Sequence, residues 1–321
     1  MSIVICGGAG FIAVNLLDEF LQDNQVFVLD NLSRGSLVYL NKYADNPNLK
    51  FIEHELSDLD QTAKVFGEIN DISSISEVWH MAANSDILAG VESPEIDLRD
   101  TFLTTHCILL AMKNVGAKKF YFASSSAIYG DMEGKPASES SGPLLPISNY
   151  GAMKLASEGL ISAATESFLD IGLMYRFPNV VGVPATHGVI FDLIRKLKNN
   201  QSELEVLGDG TQQKSYLHVS DLVGAMLYLR DYGKVNSRDV FNIGPVDDGV
   251  RVSTIAETVV NRVSPGAKIN YGTSDRGWVG DVPKFSYSLD KLLATGWKPK
   301  LSSLEAVKLA VDEISVQLAE F

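Results

Sequence analysis

Short apolar runs rich in β-branched residues alternate with longer amphipathic stretches through the first half of the chain. Ser2–Cys6 reads as a strand, Gly10–Gln22 as a helix, Gln25–Asp30 and Leu49–Glu53 as strands, and Ser57–Glu68 as a helix. Glu77–His80 is a short strand, followed by a long helix from about Pro94 to Val115, a strand Lys119–Ala123, a helix Asn149–Ser167 and a strand Ile171–Arg176. Strand–helix alternation at this spacing predicts right-handed βαβ crossovers and a parallel sheet covered on both faces. Beyond residue 176 the rhythm loosens. Val189–Asn200 and Asp221–Arg230 read as helices, Leu204–Leu207 and Val240–Ile243 as strands, and a Gly/Asp/Pro-rich loop over 272–283 precedes two C-terminal helices. The expected fold is α/β: a Rossmann-type doubly wound parallel sheet over 1–175, with a smaller α/β domain over 176–321. Segments near 212–244 are expected to return to the first domain.

The 321 residues, 45% hydrophobic, suffice for one large or two fused cores. Twenty-seven basic against 40 acidic residues give a net charge of −13, which argues against non-specific nucleic-acid or anionic-membrane partners. It does not exclude a bound phosphate, because local backbone amides hold one even on an acidic protein. No apolar run approaches the roughly 18–20 residues of a membrane span. Residues 1–6 enter a strand without a basic stretch, so no signal peptide is expected. Cys6 and Cys107 sit in apolar segments and are expected as buried free thiols, in keeping with a cytoplasmic location. The five histidines show no metal spacing, and no metal is expected.

The first strand runs into Gly7-Gly8-Ala9-Gly10-Phe11-Ile12-Ala13 and then a helix. Such a strand, glycine turn and helix N-terminus present backbone N–H groups to a pyrophosphate. Gly7 permits the tight turn, Gly10 the close backbone approach, and Ala13 keeps the helix near the strand. The spacing is Gly-x-x-Gly-x-x-Ala rather than the commoner Gly-x-Gly-x-x-Gly. Asp30 ends the second strand, 20 residues beyond Gly10. A carboxylate there can accept both adenosine ribose hydroxyls and would repel a 2′-phosphate, which favours NAD over NADP. A turn-holding aspartate before Asn31 is the alternative, and Arg34 softens the preference.

Tyr150 and Lys154 stand four residues apart on one helix face. A free phenol, with a pKa of roughly 10, is too weakly acidic to act as a base at neutral pH. A nearby ammonium and a cationic nicotinamide both favour the phenolate. Bringing the phenol near neutrality takes about 4 kcal/mol of preferential stabilisation. A surface helix pair is the plain alternative, but the pair follows a dinucleotide fingerprint and a strand ending in Ser124-Ser125-Ser126.

With these pieces in hand, the sequence resembles the extended short-chain dehydrogenases/reductases of the NAD-dependent nucleotide-sugar epimerase/dehydratase type, over nearly the whole chain. The matching pieces are Gly7–Ala13, Asp30-Asn31-Leu32-Ser33, His80-Met81-Ala82-Ala83, Ser124–Gly130, Tyr150–Lys154, Arg176-Phe177-Pro178-Asn179, and Gly208-Asp209-Gly210-Thr211-Gln212 leading to His218-Val219-Ser220-Asp221. The resemblance implies that Tyr150 is the acid/base on a sugar hydroxyl, that Lys154 holds the nicotinamide ribose and lowers the Tyr150 pKa, and that Ser125 bonds the reacting hydroxyl. It implies cofactor contacts at Gly7, Gly10, Phe11, Ile12, Asp30, Asn31, Ala82 and Ala83, and at Glu55-Leu56, where the family usually has an Asp. Asn179, Lys214 and Arg276 would face the nucleotide-sugar; the family usually has Arg where Lys214 stands, which keeps the charge but loses the bidentate geometry. Ser85, Asp86 and Ser126 are further candidates for contact with the sugar.

Dehydratases of the family resemble Thr-Asp-Glu at the catalytic hydroxyl, and decarboxylating members carry a Glu at the third place. Here the three positions are Ser125, Ser126 and Ala127. The resemblance then implies simple redox chemistry at C4 of a nucleotide-diphosphate sugar, with epimerisation through a 4-keto intermediate as the expected outcome. A 4-dehydrogenase or 4-keto reductase on the same site stays open. Loss of Tyr150 or Lys154 would have pointed instead to a non-catalytic dinucleotide sensor. His80, ending a core strand, and Tyr129, lacking a lysine partner, are expected as structural residues. A homodimer through the helices around 94–115 and 149–168 is also expected by resemblance.

Overall fold

The computed structural model describes residues 1–274 and 286–319. The chain divides into two compact units: Met1–Gly130 with Pro143–Arg176 and Leu229–Phe241, and Asp131–Gly142 with Phe177–Tyr228 and Asn242–Phe321. The boundary differs from a single cut at residue 175. The short stretch 131–142 belongs to the second unit, and 229–241, a segment within 212–244, lies in the first.

The first unit is built on a seven-stranded parallel sheet. Its first six strands are β1 (Ser2–Cys6), β2 (Gln25–Asp30), β3 (Leu49–Glu53), β4 (Ile75–His80), β5 (Lys119–Ser125) and β6 (Ile171–Phe177). The order is β3-β2-β1-β4-β5-β6, with Arg238–Asn242 as the seventh strand beside β6. The order reverses between β1 and β4. In open α/β sheets the crevice at the carboxyl ends of the strands flanking such a reversal receives the ligand.

Burial on both faces explains the unbroken apolar runs of β1 and β2. On one face Val4, Phe27, Val78, Phe120 and Phe122 meet helix residues Phe66, Ile69, Ile108, Met112 and Ile161. On the other, Trp79 stacks on Tyr121 at 4.2 Å between ring centroids and leans on Phe20 at 5.0 Å. Trp79 and Tyr121 are direct cross-strand partners, so the register of β4 on β5 fixes the stack.

Two predicted helices are interrupted. Gly10–Gln22 divides into Phe11–Val14 and Leu17–Phe20. The Asn15 side chain bonds the Phe11 carbonyl at 2.8 Å, while its own N–H turns to Ile12, one residue short of helical register. The predicted Pro94–Val115 helix widens into a π-helical stretch over Leu98–Leu103 before resuming as Thr104–Val115.

In the second unit, parallel pairs join Asn179–Val181 to Tyr216–His218 and Glu203–Val206 to Lys268–Tyr271. Helices Val189–Asn199, Val252–Val263 and Ser303–Ala319 close a separate core around Ile194, Leu197, Ile255, Val259, Val307 and Val311.

Candidate active site

The site of the first unit lies at the carboxyl ends of β1, β2, β4 and β5. Gly7, directly after β1, takes φ +76°, a conformation only glycine adopts freely. A Cβ there would come within 2.5 Å of the Ala82 backbone nitrogen. The loop after β4 is therefore laid against the glycine turn, and the N–H groups of Met81 and Ala82 donate to the Cys6 carbonyl at 2.8 and 2.9 Å. Gly10 is the extended N-cap of the following helix and supplies no side-chain cap. No side chain therefore caps the first-turn amides of Phe11 and Ile12, and Ala13 is buried. This cradle fits the pyrophosphate of a dinucleotide.

Asp30 is buried at the end of β2. Its carboxylate accepts the N–H of Ala9 at 3.0 Å and of Leu32 at 2.8 Å. Burial pushes its pKa above the ordinary range, and the two amide bonds oppose that shift. The Asp30 carboxylate thus joins the glycine loop to the loop after β2. Asn31 donates to Glu55 Oε2 at 2.8 Å, and Glu55 Oε1 accepts the N–H and hydroxyl of Ser57 at 3.1 and 2.8 Å. Burial works against the Glu55 carboxylate, but these bonds and the Arg99 charge hold its pKa below the usual value. The Glu that departs from the family's Asp is therefore a fixed anion beside Asn31. Leu56 is a core residue, and Ala82 and Ala83 are half-buried on the loop after β4.

Tyr150 and Lys154 lie in the first two turns of the helix Asn149–Ser167, which Ser148 caps through the Gly151 N–H at 3.1 Å. Gly151 is required: a Cβ there would stand 2.4 Å from the Ala127 carbonyl oxygen. This contact brings the helix against the end of β5, where the Ser125 hydroxyl bonds the Tyr150 phenol and accepts the Ala127 N–H at 3.1 Å. Lys154 is 1% exposed. Its Nζ donates to the Ala123 carbonyl at 2.6 Å and lies 4.6 Å from the Phe122 ring centroid and 5.8 Å from that of Tyr150. Burial pulls its pKa down to about 7, against the charges of Glu158 and Asp97. Burial pushes the Tyr150 phenol up to about 12; Ser125 opposes this and Asp97 adds to it. Ser125, not the expected Lys154, is the group that lowers the phenol here, and burial outweighs it.

Ser85 is exposed, and Ser126 is half-buried in the turn after Ser125. Asp86 caps the helix Ile87–Glu92 through the Ala89 N–H at 3.1 Å and pairs with Arg34 at 3.2 Å, so its carboxylate holds two loops of the first unit together. In the second unit Asn179 is exposed at the start of its strand, and Lys214 is half-buried in a strand paired with Val250–Arg251. Arg276 lies outside the described residues.

Two groups escaped the sequence reading. Glu158, four residues past Lys154, accepts the Ser124 hydroxyl at 2.6 Å and the Arg176 Nε and Nη2 at 2.9 and 2.6 Å; Arg176 Nη1 donates to Tyr129 at 2.9 Å. The Tyr-Lys-Glu spacing of four was the available signal. The second group, Asn84 with Asp97, has no local pattern. His80 is buried with Nε2 3.0 Å from the Thr105 hydroxyl, as a structural residue would be. Cys6 and Cys107 are free and buried. Among the described residues no helix is long and apolar enough to cross a membrane.

The sequence profile of the NAD-dependent epimerase/dehydratase family matches residues 3–244. A putative UDP-glucose 4-epimerase of Methanocaldococcus jannaschii is 30% identical over 97% of both chains. Among solved structures, UDP-glucose 4-epimerase of Thermotoga maritima with UDP-glucose is 28% identical, with a TM-score of 0.85 over 99% of this chain and 100% of that one. The Thermus thermophilus UDP-glucose 4-epimerase complex with NAD is 28% identical, with a TM-score of 0.84 over 98% and 99%. The sheet order, the glycine cradle and these likenesses agree: the chain belongs to the NAD-dependent epimerase/dehydratase family, an enzyme of the extended short-chain dehydrogenase/reductase class with NAD as its cofactor.

Proposed function

We propose that this enzyme epimerises C4 of a nucleotide-diphosphate sugar through a 4-keto intermediate. The observation that carries the reading is the Ser125–Tyr150–Lys154 cluster, next to which stand Ser126 and Ala127 rather than a carboxylate pair. Elimination of water needs a second acid and base, and those positions provide neither. Bound NAD supplies the hydride acceptor and later donor, and its cationic nicotinamide favours the phenolate of Tyr150. Tyr150 takes the proton of the 4-hydroxyl, with Ser125 bonded to the same oxygen and relaying the proton. Lys154 would hold the nicotinamide ribose. The 4-keto sugar turns about its diphosphate linkage, and Tyr150 returns the proton when the opposite face is reduced. The nucleotide keeps the sugar at hand during the turn. Asp30 and Asn31 would hold the adenosine ribose. Asn179, Lys214 and Arg276 would hold the nucleotide and its diphosphate.

Two copies would associate through the helices near 94–115 and 149–168, where Leu98 and Leu110 are exposed apolar residues. A monomeric mass in sedimentation at micromolar concentration would count against this pairing.

The test incubates the purified protein, without added cofactor, with UDP-glucose and a panel of other nucleotide-hexoses. C4 stereochemistry is read by NMR and reduced cofactor by absorbance. Two C4 epimers without net NADH are the expected result. Accumulating NADH with a keto-sugar would replace epimerisation with the dehydrogenase or reductase reading. Tyr150→Phe is expected to abolish turnover while leaving NAD bound.

A further inference from the structure

The catalytic helix is tethered at both ends of its active stretch to one segment of the first unit. Asn149 Nδ2 donates to the Gly90 carbonyl at 2.9 Å, and the Ser157 hydroxyl reaches the Thr101 carbonyl at 3.4 Å. Tyr150 and Lys154 lie between these tethers. Asp97 lies between Gly90 and Thr101, at the entrance to the π-helical stretch that packs on this helix. Its side chain is wholly buried. Oδ1 accepts the Asn84 amide at 2.9 Å, and Asn84 is itself fixed by the Thr101 hydroxyl at 3.2 Å and by two bonds to the Asp86 backbone. Oδ2 has no hydrogen-bond partner among the described residues. It packs on Gly90, where a Cβ would come within 1.9 Å of it. A carboxyl group buried with one oxygen unsatisfied is costly, and a fold keeps one only where its charge is used or tolerated.

We propose that Asp97 is a positioning residue of the active site: a buried carboxylate, seated on Gly90 in the segment that packs against the helix of Tyr150 and Lys154, whose negative charge acts on that pair from behind. The proposal rests on the reading of Tyr150 and Lys154 as the catalytic pair. The charged and titratable groups around Asp97 are Asp86 and Asp100 near its own segment and Lys154 and Tyr150 from the catalytic helix. Around Lys154 they are Glu158, Asp97 and His80. Burial raises the Asp97 pKa, as do Asp100 and Asp86; Asn84 and Lys154 lower it. The anion in turn favours the ammonium of Lys154 and disfavours the phenolate of Tyr150. The two effects have a joint sign. Removing the charge must lower the pKa of both groups, so both limbs of the activity profile move to lower pH.

Asp97→Asn is nearly isosteric and keeps an oxygen for the Asn84 amide. In the holoenzyme it is expected to move both limbs of the kcat/KM profile down by about half to one pH unit, a threefold to tenfold change in each protonation ratio. KM for the sugar should change less than about twofold, because the residue touches no substrate. Carbon-13 labelling of the tyrosine ring, with Tyr150→Phe for assignment, reads the phenol midpoint directly by NMR. If Asp97→Asn does not fold, Asn84→Ser leaves the carboxyl in place without its amide donor. That change raises the Asp97 pKa, and both limbs should again move down over the range where the carboxyl is discharged. Unmoved limbs with a uniformly lower kcat, or limbs moving in opposite directions, would overturn the proposal. Tyr150→Phe separates the failures: if that variant still turns over, the reading of the pair fails, and if it is dead while the limbs stay fixed, only the role of Asp97 fails.

Discussion

Replacing Glu158 by Gln removes one charge from a buried network and leaves Arg176 without its partner. Both side chains of the pair are less than a tenth exposed, and the contact is bidentate, with Nε at 2.9 Å and Nη2 at 2.6 Å. Burial lowers the arginine pKa, but the Glu158 bonds and charge more than reverse this. Breaking a buried pair by neutralising one member typically costs about 3–5 kcal/mol, since the remaining ion keeps its desolvation penalty. The substituted amide could still accept one bond from Arg176, and Tyr129 still accepts another, which argues for the lower half of that range. With about 2–4 °C lost per kcal/mol in a domain of 150–250 residues, Tm should fall by roughly 6–16 °C. The assay is thermal and urea unfolding of Glu158→Gln, Arg176→Met and the double variant Glu158→Gln/Arg176→Met. The double variant should be markedly more stable than the sum of the singles predicts, because no ion is left stranded. High salt should not narrow the difference, since solvent does not screen the pair. A Glu158→Gln variant within about 1 kcal/mol of the parent, or strictly additive singles, would refute this account of the network. The loss should also reach activity, because the same carboxylate holds Ser124, one residue before Ser125.

Gly7→Ala meets both a left-handed backbone at φ +76° and the Ala82 backbone at 2.5 Å, so the loop after β4 must shift. NAD retention after gel filtration should fall at least about tenfold, the equivalent of roughly 1.4 kcal/mol or more; retention at the parental level would count against the cradle. Lys154→Met should abolish turnover yet raise the Tm near neutral pH. The folded-state pKa of Lys154, about 7, lies below the ordinary 10.5, so the buried ammonium destabilises fully below pH 7 and this penalty fades as pH rises to 10.5. The gain in the methionine variant should therefore be greatest below pH 7 and shrink across that window; a variant less stable than the parent at pH 6 would contradict the sign.

The sheet was legible because its strands satisfy two local conditions at once, apolar on both faces and bounded by glycine or polar turns. β1 and β2 match their predicted limits. What the pattern missed has identifiable causes. Helix Val252–Val263 carries six β-branched residues among its first nine, a composition that suits a strand, and only the one-sided burial of Ile255, Ala256, Val259 and Val260 makes it a helix. The π-helical stretch over Leu98–Leu103 only shifts the phase of the apolar pattern over a turn or so, too short a span to stand out from the helical period on either side.

The site divides along the same line. Groups proposed to meet a ligand stand on turns and helix starts, where glycine, capping serine and fixed spacings of three or four residues write them into the sequence. Gly7, Gly10, Ser125, Tyr150 and Lys154 are of this kind. Groups that set charge from behind are placed by packing alone. Glu158 reaches Arg176 across 18 residues, Asn84 reaches Asp97 across 13, and Asp97 depends on the absence of a side chain at Gly90. Neither a period nor a motif specifies such contacts. The physical requirement does: an ammonium buried as deeply as that of Lys154 needs nearby negative charge to stay protonated, and the fold places two carboxylates around it. A buried lysine in a proposed active site is therefore itself a signal to search for acids that the linear sequence keeps apart.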